Sequence, residues 1–133
     1  MRYLLDTNIC VDAMSDRYPR VAARIRRLSP GSVYISPIVV AELRYGADKS
    51  GRPRANHAKI DDFVQDLSCL DFNLDAAAAY GRIRAGLESL GKTIGSNDLL
   101  IAAQAISNQL ILVTDNLREF QRVKGLQIEN WRG

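Results

Sequence analysis

Four segments of the chain each place a carboxylate beside a signal for a turn or for the start of a helix. Carboxylates that converge from strand ends and helix starts can hold a hard divalent cation such as Mg²⁺ or Mn²⁺, which prefers oxygen ligands. Such an ion assists the attack of water on a phosphodiester bond. This is the first chemistry that the chain predicts, and the segments are Leu4-Leu5-Asp6-Thr7-Asn8, Val40-Ala41-Glu42-Leu43, Ser96-Asn97-Asp98-Leu99 and Leu112-Val113-Thr114-Asp115-Asn116.

Each acid also has a structural explanation, and these explanations leave a second kind of function open. Asp6 can cap the helix that follows it, Asp98 can interact with a helix dipole, and Asp115 can form a turn with its own backbone. Glu42 lies well inside its predicted helix, beyond any capping position. A carboxylate there needs a partner, either a nearby Arg or a metal ion shared with other acids. The alternative to an enzyme is a non-catalytic RNA- or partner-binding domain whose acids serve as helix caps.

Short apolar runs predict the strands that must position these acids. The clearest are Tyr3–Leu5, Val33–Ile35 and Leu110–Val113, with a brief strand at 69–72 and an edge strand at 126–128. Short strands that alternate with longer helices indicate a parallel sheet covered on both faces, an α/β sandwich. Ligands bind outside the carboxyl ends of such strands. Asp6 and Asp115 each lie just past the carboxyl end of a predicted strand, so we expect them at the same edge.

Helical spacing occupies the segments between the strands. Asp75 is predicted to cap the longest helix, which ends at Gly91, and Ser96 is predicted to cap the next. No repeat, linker or low-complexity segment interrupts the pattern, so residues 1–133 are expected to form one domain. The other predicted helices span 7–14, run from Pro19 to about 28, start at Ser36-Pro37 and end around 46–50, and contain 60–67.

Composition is that of an ordinary globular protein, with 47% hydrophobic and 25% charged residues. No apolar stretch approaches the length of a membrane span. The first residues lead directly into a strand-like run and do not resemble a signal sequence. We therefore expect a cytoplasmic protein that has no association with a membrane.

Basic residues are concentrated in the first half of the chain, although the net charge is only +3. Residues 1–60 hold 11 Lys and Arg against 5 Asp and Glu, whereas residues 61–133 hold 7 against 10. Arg20, Arg24 and Arg27 fall on a different face of their helix from its apolar residues. A basic half beside an acidic metal site suits a polyanionic substrate, and solvated helix faces are the alternative explanation.

Two other phosphate chemistries fit the chain poorly. Residues 86–93 match the letters of a P-loop, but that loop must follow a strand, and Gly86 lies within a helical pattern. A phosphatase with Asp6 as its nucleophile typically needs a second acid two residues later, where this chain has Asn8. A nucleotide-binding site and a phosphoenzyme mechanism are therefore not favoured.

The ordered set of motifs resembles the PIN-domain ribonucleases, specifically the VapC-type toxins of bacterial toxin–antitoxin pairs. The resemblance covers essentially the whole chain, and its strength lies in the order and spacing of motifs that are individually weak. The motifs are Leu5-Asp6-Thr7-Asn8, Ala41-Glu42-Leu43 with Gly46, Gly95-Ser96-Asn97-Asp98 with Ile101-Ala102, Val113-Thr114-Asp115-Asn116, Arg118-Glu119-Phe120, Arg122-Val123 and Glu129-Asn130-Trp131.

The resemblance implies a PIN-like three-layer α/β/α sandwich with a short, mostly parallel central sheet. It also implies that Asp6, Glu42 and Asp98 are the acids that hold Mg²⁺ or Mn²⁺. The fourth acidic position of the family corresponds to Asn116, with Asp115 just before it, so a weaker contribution from one of these two is expected. Thr7 and Thr114 are expected to orient the neighbouring carboxylates.

The function implied by the resemblance is that of a Mg²⁺-dependent endoribonuclease. Such toxins cleave structured RNA, commonly tRNA, with metal-activated water and arrest translation. They are usually homodimers, and a small VapB-like antitoxin inhibits them. Arg82 and Arg84 on the long helix are expected to grip the RNA backbone.

Overall fold

The structure, a computed structural model, describes all residues 1–133. Strands and helices alternate along the chain, with a single 3₁₀ turn at Pro30–Ser32. In chain order the elements are β1 Tyr3–Leu5, α1 Thr7–Met14, α2 Pro19–Arg27, β2 Val33–Ile35, α3 Pro37–Lys49, α4 Pro53–Val64, β3 Ser68–Cys69, α5 Leu74–Ser89, α6 Ser96–Ser107, β4 Ile111–Val113, α7 Leu117–Phe120 and β5 Ile128–Glu129.

The five strands form one sheet in the order β3-β2-β1-β4-β5, and every pairing is parallel. The predicted α/β sandwich is therefore confirmed, with a sheet that is entirely parallel. Every residue of β1 and β4 is buried, which requires cover on both faces. The two strands pair in register from Tyr3 opposite Ile111 to Leu5 opposite Val113. The residues that follow β1 and β4 consequently leave the sheet side by side at its carboxyl edge.

The last part of the chain is anchored in the same core as the central strands. Phe120 of α7 is fully buried. Beyond β5, the Trp131 ring packs edge-on against the Tyr3 ring, with 5.0 Å between the centroids. Fully burying one such side chain stabilises the fold by roughly 1.5–3 kcal/mol. These contacts anchor the segment after β4 and the tail after β5 in the core of the domain.

Two predicted helix caps were wrong. Helix α5 is capped by Asn73, whose Oδ1 accepts a hydrogen bond from the Ala76 N–H at 3.0 Å, so Asp75 lies in the first turn. Asn and Asp are about equally good caps, and spacing from the apolar residues does not separate them. Helix α6 has Gly95 at its cap position and Ser96 as its first residue.

The two edge strands are shorter than their apolar patterns predicted. β3 ends at Cys69, and β5 begins only at Ile128. Each is limited to the two residues that pair with β2 or β4. None of the helices combines the length and the apolar character needed to cross a membrane.

Candidate metal centre

Asp6 stands at the end of β1 and is nearly buried, with 7% of its surface exposed. Its Oδ1 accepts a hydrogen bond from the Thr7 N–H at 2.8 Å, which makes Asp6 the N-cap of α1. Its Oδ2 accepts a second hydrogen bond from the Thr114 hydroxyl at 2.8 Å. Burial raises the pKa of this carboxyl although both hydrogen bonds oppose the rise. Asp6 is therefore a helix cap that is held more rigidly than capping requires.

The two threonines beside the acids make different contacts. The Thr114 hydroxyl donates to Asp6 and accepts a hydrogen bond from the Asn116 N–H at 3.0 Å, so it ties the end of β4 to the end of β1. Thr7 contacts Asp6 through its backbone, and its hydroxyl is buried without a partner. Thr7 and Glu42 line the same groove.

Asp98 lies in the first turn of α6, at the centre of the acidic cluster. Burial raises its pKa to about 6, and the charges of Asp6, Glu119 and Glu42 add to the rise. The charge contributions come from three other carboxylates, so the fold has brought acids from the end of β1, from α3, from α6 and from α7 near one another. Gly95 approaches this side chain closely, because a Cβ there would lie 3.2 Å from Asp98 Oδ2.

Glu42 lies in the second turn of α3, as its spacing predicted. It takes no part in any ion pair of the structure. The nearby Arg44 is used elsewhere, because its guanidinium binds Asp61 at 2.6 Å and His57 Nδ1 at 3.1 Å. An Arg partner therefore does not explain why an acid stands at position 42.

Glu119 is the acid that the sequence analysis did not include among the site residues. Asn116 caps the one-turn helix α7 through the Glu119 N–H, and its amide donates to the Glu119 carboxylate. This reciprocal pairing resembles a capping box, except that the Glu119 carboxylate accepts from the Asn116 side-chain amide and not from its backbone N–H, and Asn followed three residues later by Glu was its sequence signal. Asn116 thus positions a carboxylate beside Asp98.

Asp115, the residue before Asn116, is bound by Arg132 and Asn8. Its Oδ2 accepts a hydrogen bond from Arg132 Nη1 at 3.1 Å, and its Oδ1 accepts one from the Asn8 amide at 3.3 Å. Arg132 also binds both oxygens of Asp12, which is only 3% exposed, at 2.6 and 3.2 Å. Its guanidinium lies 4.4 Å from the centre of the Tyr18 ring. Arg132 therefore pairs with both Asp115 and Asp12 and offsets part of their charge, and no cation pairs with the acidic cluster.

The donor set of the cluster fits a hard divalent cation. Its potential ligands are all oxygens, and no Lys or Arg forms an ion pair with Asp6, Glu42 or Asp98. As the side chains are placed, no group of three or more His, Cys, Asp or Glu is arranged to hold one ion. The acids are nevertheless close enough to raise the pKa of Asp98 together. Binding would therefore require adjustments of side chains that no Lys or Arg neutralises.

Arg82 and Arg84 lie on α5 and make no ion pair with the cluster. Arg84 binds Glu88 at 3.1 Å and the Tyr80 hydroxyl at 2.9 Å. Arg82 lines a separate groove with Arg122 and Lys124.

A comparison with known families decides the class of the protein. The model of the PIN domain matches residues 3–126. The chain belongs to the PIN-domain family. Within that family, curated VapC ribonucleases match over 98% of the chain, which assigns it to the VapC toxin type that the sequence motifs predicted.

Individual relatives support this placement over nearly the whole PIN domain. The chain is 47% identical over 131 residues to Ribonuclease VapC2 of Haemophilus influenzae, and the match covers 98% of both chains. It is 42% identical to the tRNA(fMet)-specific endonuclease VapC of Shigella flexneri, again with 98% of both chains covered. Among solved structures, the crystal structure of VapBC2 from Rickettsia felis bound to a DNA fragment from their promoter superposes with a TM-score of 0.91. That match is 41% identical and covers 98% of this chain and 99% of the other.

The raised pKa of Asp98 predicts how this PIN domain loses stability with pH when divalent ions are removed. The folded state holds the Asp98 proton up to about pH 6 and the unfolded state only to about 3.8, so the free energy of unfolding falls as pH rises between these values. Above pH 6 Asp98 is ionised in both states, and the loss of stability that its ionisation causes is complete. Asp98→Asn should therefore raise the free energy of unfolding at pH 7.5 by about 1–2 kcal/mol, after allowance for solvent screening of a half-buried group.

Urea unfolding in EDTA at pH 4.5 and pH 7.5 measures this difference. The gain from Asp98→Asn should be clearly smaller at pH 4.5. Asp75→Asn is a matched control, because Asp75 also lies in a first helical turn but outside the cluster. A gain of the same size at both pH values, or in both variants, would contradict the assignment.

Arg132 should be important for stability because it is the only partner of a buried acid. Arg132→Gln leaves Asp12 buried and unpaired, which should lower the free energy of unfolding by about 3–5 kcal/mol. Asp12→Asn added to Arg132→Gln should recover much of that loss. Arg118→Gln, which alters an exposed arginine outside every ion pair, should change stability by less than about 0.5 kcal/mol in the same urea titration. Equal losses for Arg132→Gln and Arg118→Gln would contradict this role.

Proposed function

We propose that this chain is a divalent-metal-dependent endoribonuclease that cleaves structured RNA, with tRNA the leading candidate, and so inhibits translation as the toxin of a toxin–antitoxin pair. The observation that carries the proposal is the convergence of Asp6, Glu42, Asp98 and Glu119 without a neutralising cation. Membership of the VapC-type ribonucleases supports the reaction, and a relative named for tRNA(fMet) cleavage supports the substrate.

The proposed ligands of Mg²⁺ or Mn²⁺ are Asp6, Glu42 and Asp98, and Glu119 is the proposed fourth acid. When bound, the ion would act as a Lewis acid that activates water and stabilises the charge developing on the phosphate. The residues around it orient these acids. The Thr114 hydroxyl fixes one oxygen of Asp6, and the Asn116 amide fixes the Glu119 carboxylate.

Other features of the proposal come from the relatives and the sequence. We propose that residues 1–133 act as one domain in the cytoplasm, as a homodimer that a small VapB-like antitoxin inhibits. VapBC complexes among the matching structures support such a partner. Arg82 and Arg84 remain proposed RNA contacts, with Arg84 partly neutralised by Glu88.

A cleavage assay tests the proposal directly. Purified protein, shown to be folded and free of antitoxin, is incubated with total bacterial RNA in Mg²⁺ or in EDTA. Discrete fragments should appear only with Mg²⁺, and Asp98→Asn should abolish them while Asp75→Asn should not. Sequencing the fragment ends identifies the RNA and the bond that is cut.

The non-catalytic alternative retains one specific observation in its favour. Asp6 caps α1, as a purely structural acid would. This alternative does not explain Glu42, which lies beyond any capping position and outside every ion pair. Intact RNA in every lane of the assay would favour the alternative of an RNA- or partner-binding domain.

The fourth acid can be identified by a pair of single substitutions. Glu119→Gln should weaken Mg²⁺ binding by about tenfold or more, because it removes a charge from the cluster. Asp115→Asn should change it by less than about threefold, because Arg132 already neutralises Asp115. Isothermal titration with Mg²⁺ measures both, and circular dichroism verifies folding. A larger effect of Asp115→Asn would assign the fourth position to Asp115.

A further inference from the structure

Three arginines of α2 line one cleft with the tail that follows β5. Arg20, Arg24 and Arg27 form its helical wall, and Asn130 and Trp131 lie on the opposite wall. No acidic residue lines the cleft. The three arginines follow one another at i, i+4 and i+7, so their side chains rise along one helix face at steps of about 5–6 Å. The cleft is a continuous basic surface.

The arginines of the cleft differ in how they are bound. Arg24 is fixed, because its guanidinium lies 4.7 Å from the Trp131 ring centre and 3.3 Å from a Glu129 oxygen. The Trp131 indole donates to the same oxygen at 2.9 Å. Arg20 and Arg27 are exposed and take part in no ion pair. Arg24 therefore holds the two walls together, and Arg20 and Arg27 keep their charges available to a ligand.

The tail wall of the cleft is connected to the acidic cluster through the residues that follow β5. Its tail wall begins just past the carboxyl end of β5. The adjoining Arg132 binds Asp115, which follows Thr114, and Thr114 donates to Asp6. A short series of side-chain contacts therefore links the tail wall of the cleft to the carboxylates.

A nuclease with this acidic cluster needs a basic surface beside it. The cluster repels a polyanion, and an ion bound there would offset only part of its charge. Affinity for a phosphodiester chain must then come from cations nearby, and arginine is the side chain that best matches phosphate oxygens. We propose that the α2 cleft binds the sugar-phosphate backbone of the RNA substrate, with Arg20 and Arg27 on successive phosphates; this rests on the proposed function.

Two double variants, one in the cleft and one outside it, test whether RNA binds to the cleft itself or only to positive charge in general. Arg20→Gln/Arg27→Gln removes the two free charges. Arg26→Gln/Arg54→Gln removes two other exposed arginines outside every ion pair, and Arg26 lies about 120° around α2 from Arg20. Binding of fluorescently labelled bacterial tRNA is measured by anisotropy in EDTA at several salt concentrations. Cleavage is then followed in Mg²⁺ over a range of tRNA concentrations.

The cleft variant should bind tRNA about tenfold or more weakly at 0.15 M salt, with a slope of log K against log salt that is smaller by about 1.5–2. Its KM should rise, and its kcat should stay within about twofold of the unaltered protein. The control variant should lose less than about threefold in affinity.

Two results would overturn the inference, and a third would separate it from the proposed function. Equal losses in the two variants mean that general charge, and not the cleft, attracts RNA. Displacement of labelled tRNA by polyglutamate as readily as by unlabelled tRNA means that the cleft accepts any acidic chain, including an acidic protein. If tRNA binding depends on Arg20 and Arg27 but no cleavage occurs, the cleft stands and the proposed ribonuclease activity fails.

Discussion

Repulsion among carboxylates gathered at one edge of a parallel sheet is the constraint to which the rest of the structure responds. The register of β1 and β4 delivers Asp6 and the segment after Val113 to the same edge. Helices α3 and α6 add Glu42 and Asp98, and no basic side chain pairs with them. Such a cluster destabilises the fold when it is ionised, and the buried core offsets this cost. The divalent cation that we propose for this site would offset the same repulsion.

The neighbouring polar residues keep this negative charge in a defined place. Thr114 fixes Asp6, and Asn116 directs Glu119 toward the cluster. Arg132 binds Asp115 and Asp12 on the other side of Asp115 from the cluster, so one guanidinium is shared by two further acids and offsets part of their charge. The free positive charges of Arg20 and Arg27 lie in an adjoining cleft. The sheet edge thus separates a surface suited to a metal ion from one suited to phosphates.

The sequence predicted the features that depend on local pattern. The apolar runs located β1, β2 and β4, and the order of the motifs identified the PIN-domain family. The one-turn helix α7 and the pairing of Asn116 with Glu119 were missed, because four residues are too few to show helical periodicity. The pairing of Arg132 with Asp12 joins residues 120 positions apart, so only the folded chain reveals it. The cap of α5 was predicted wrongly because Asn and Asp are about equally good caps, and only the backbone geometry shows that Asn73, and not Asp75, occupies the cap position.

The most direct test of the carboxylate cluster is the pKa of Asp98 itself, measured from the ¹³C shift of its carboxyl carbon by NMR with and without Mg²⁺. In EDTA the midpoint should lie near pH 6, because burial and three neighbouring acids oppose ionisation. Saturating Mg²⁺ should move the midpoint well below that value, since a bound cation favours the charged form. A midpoint near pH 4 in EDTA that Mg²⁺ leaves unchanged would contradict both the cluster and its role in binding a metal.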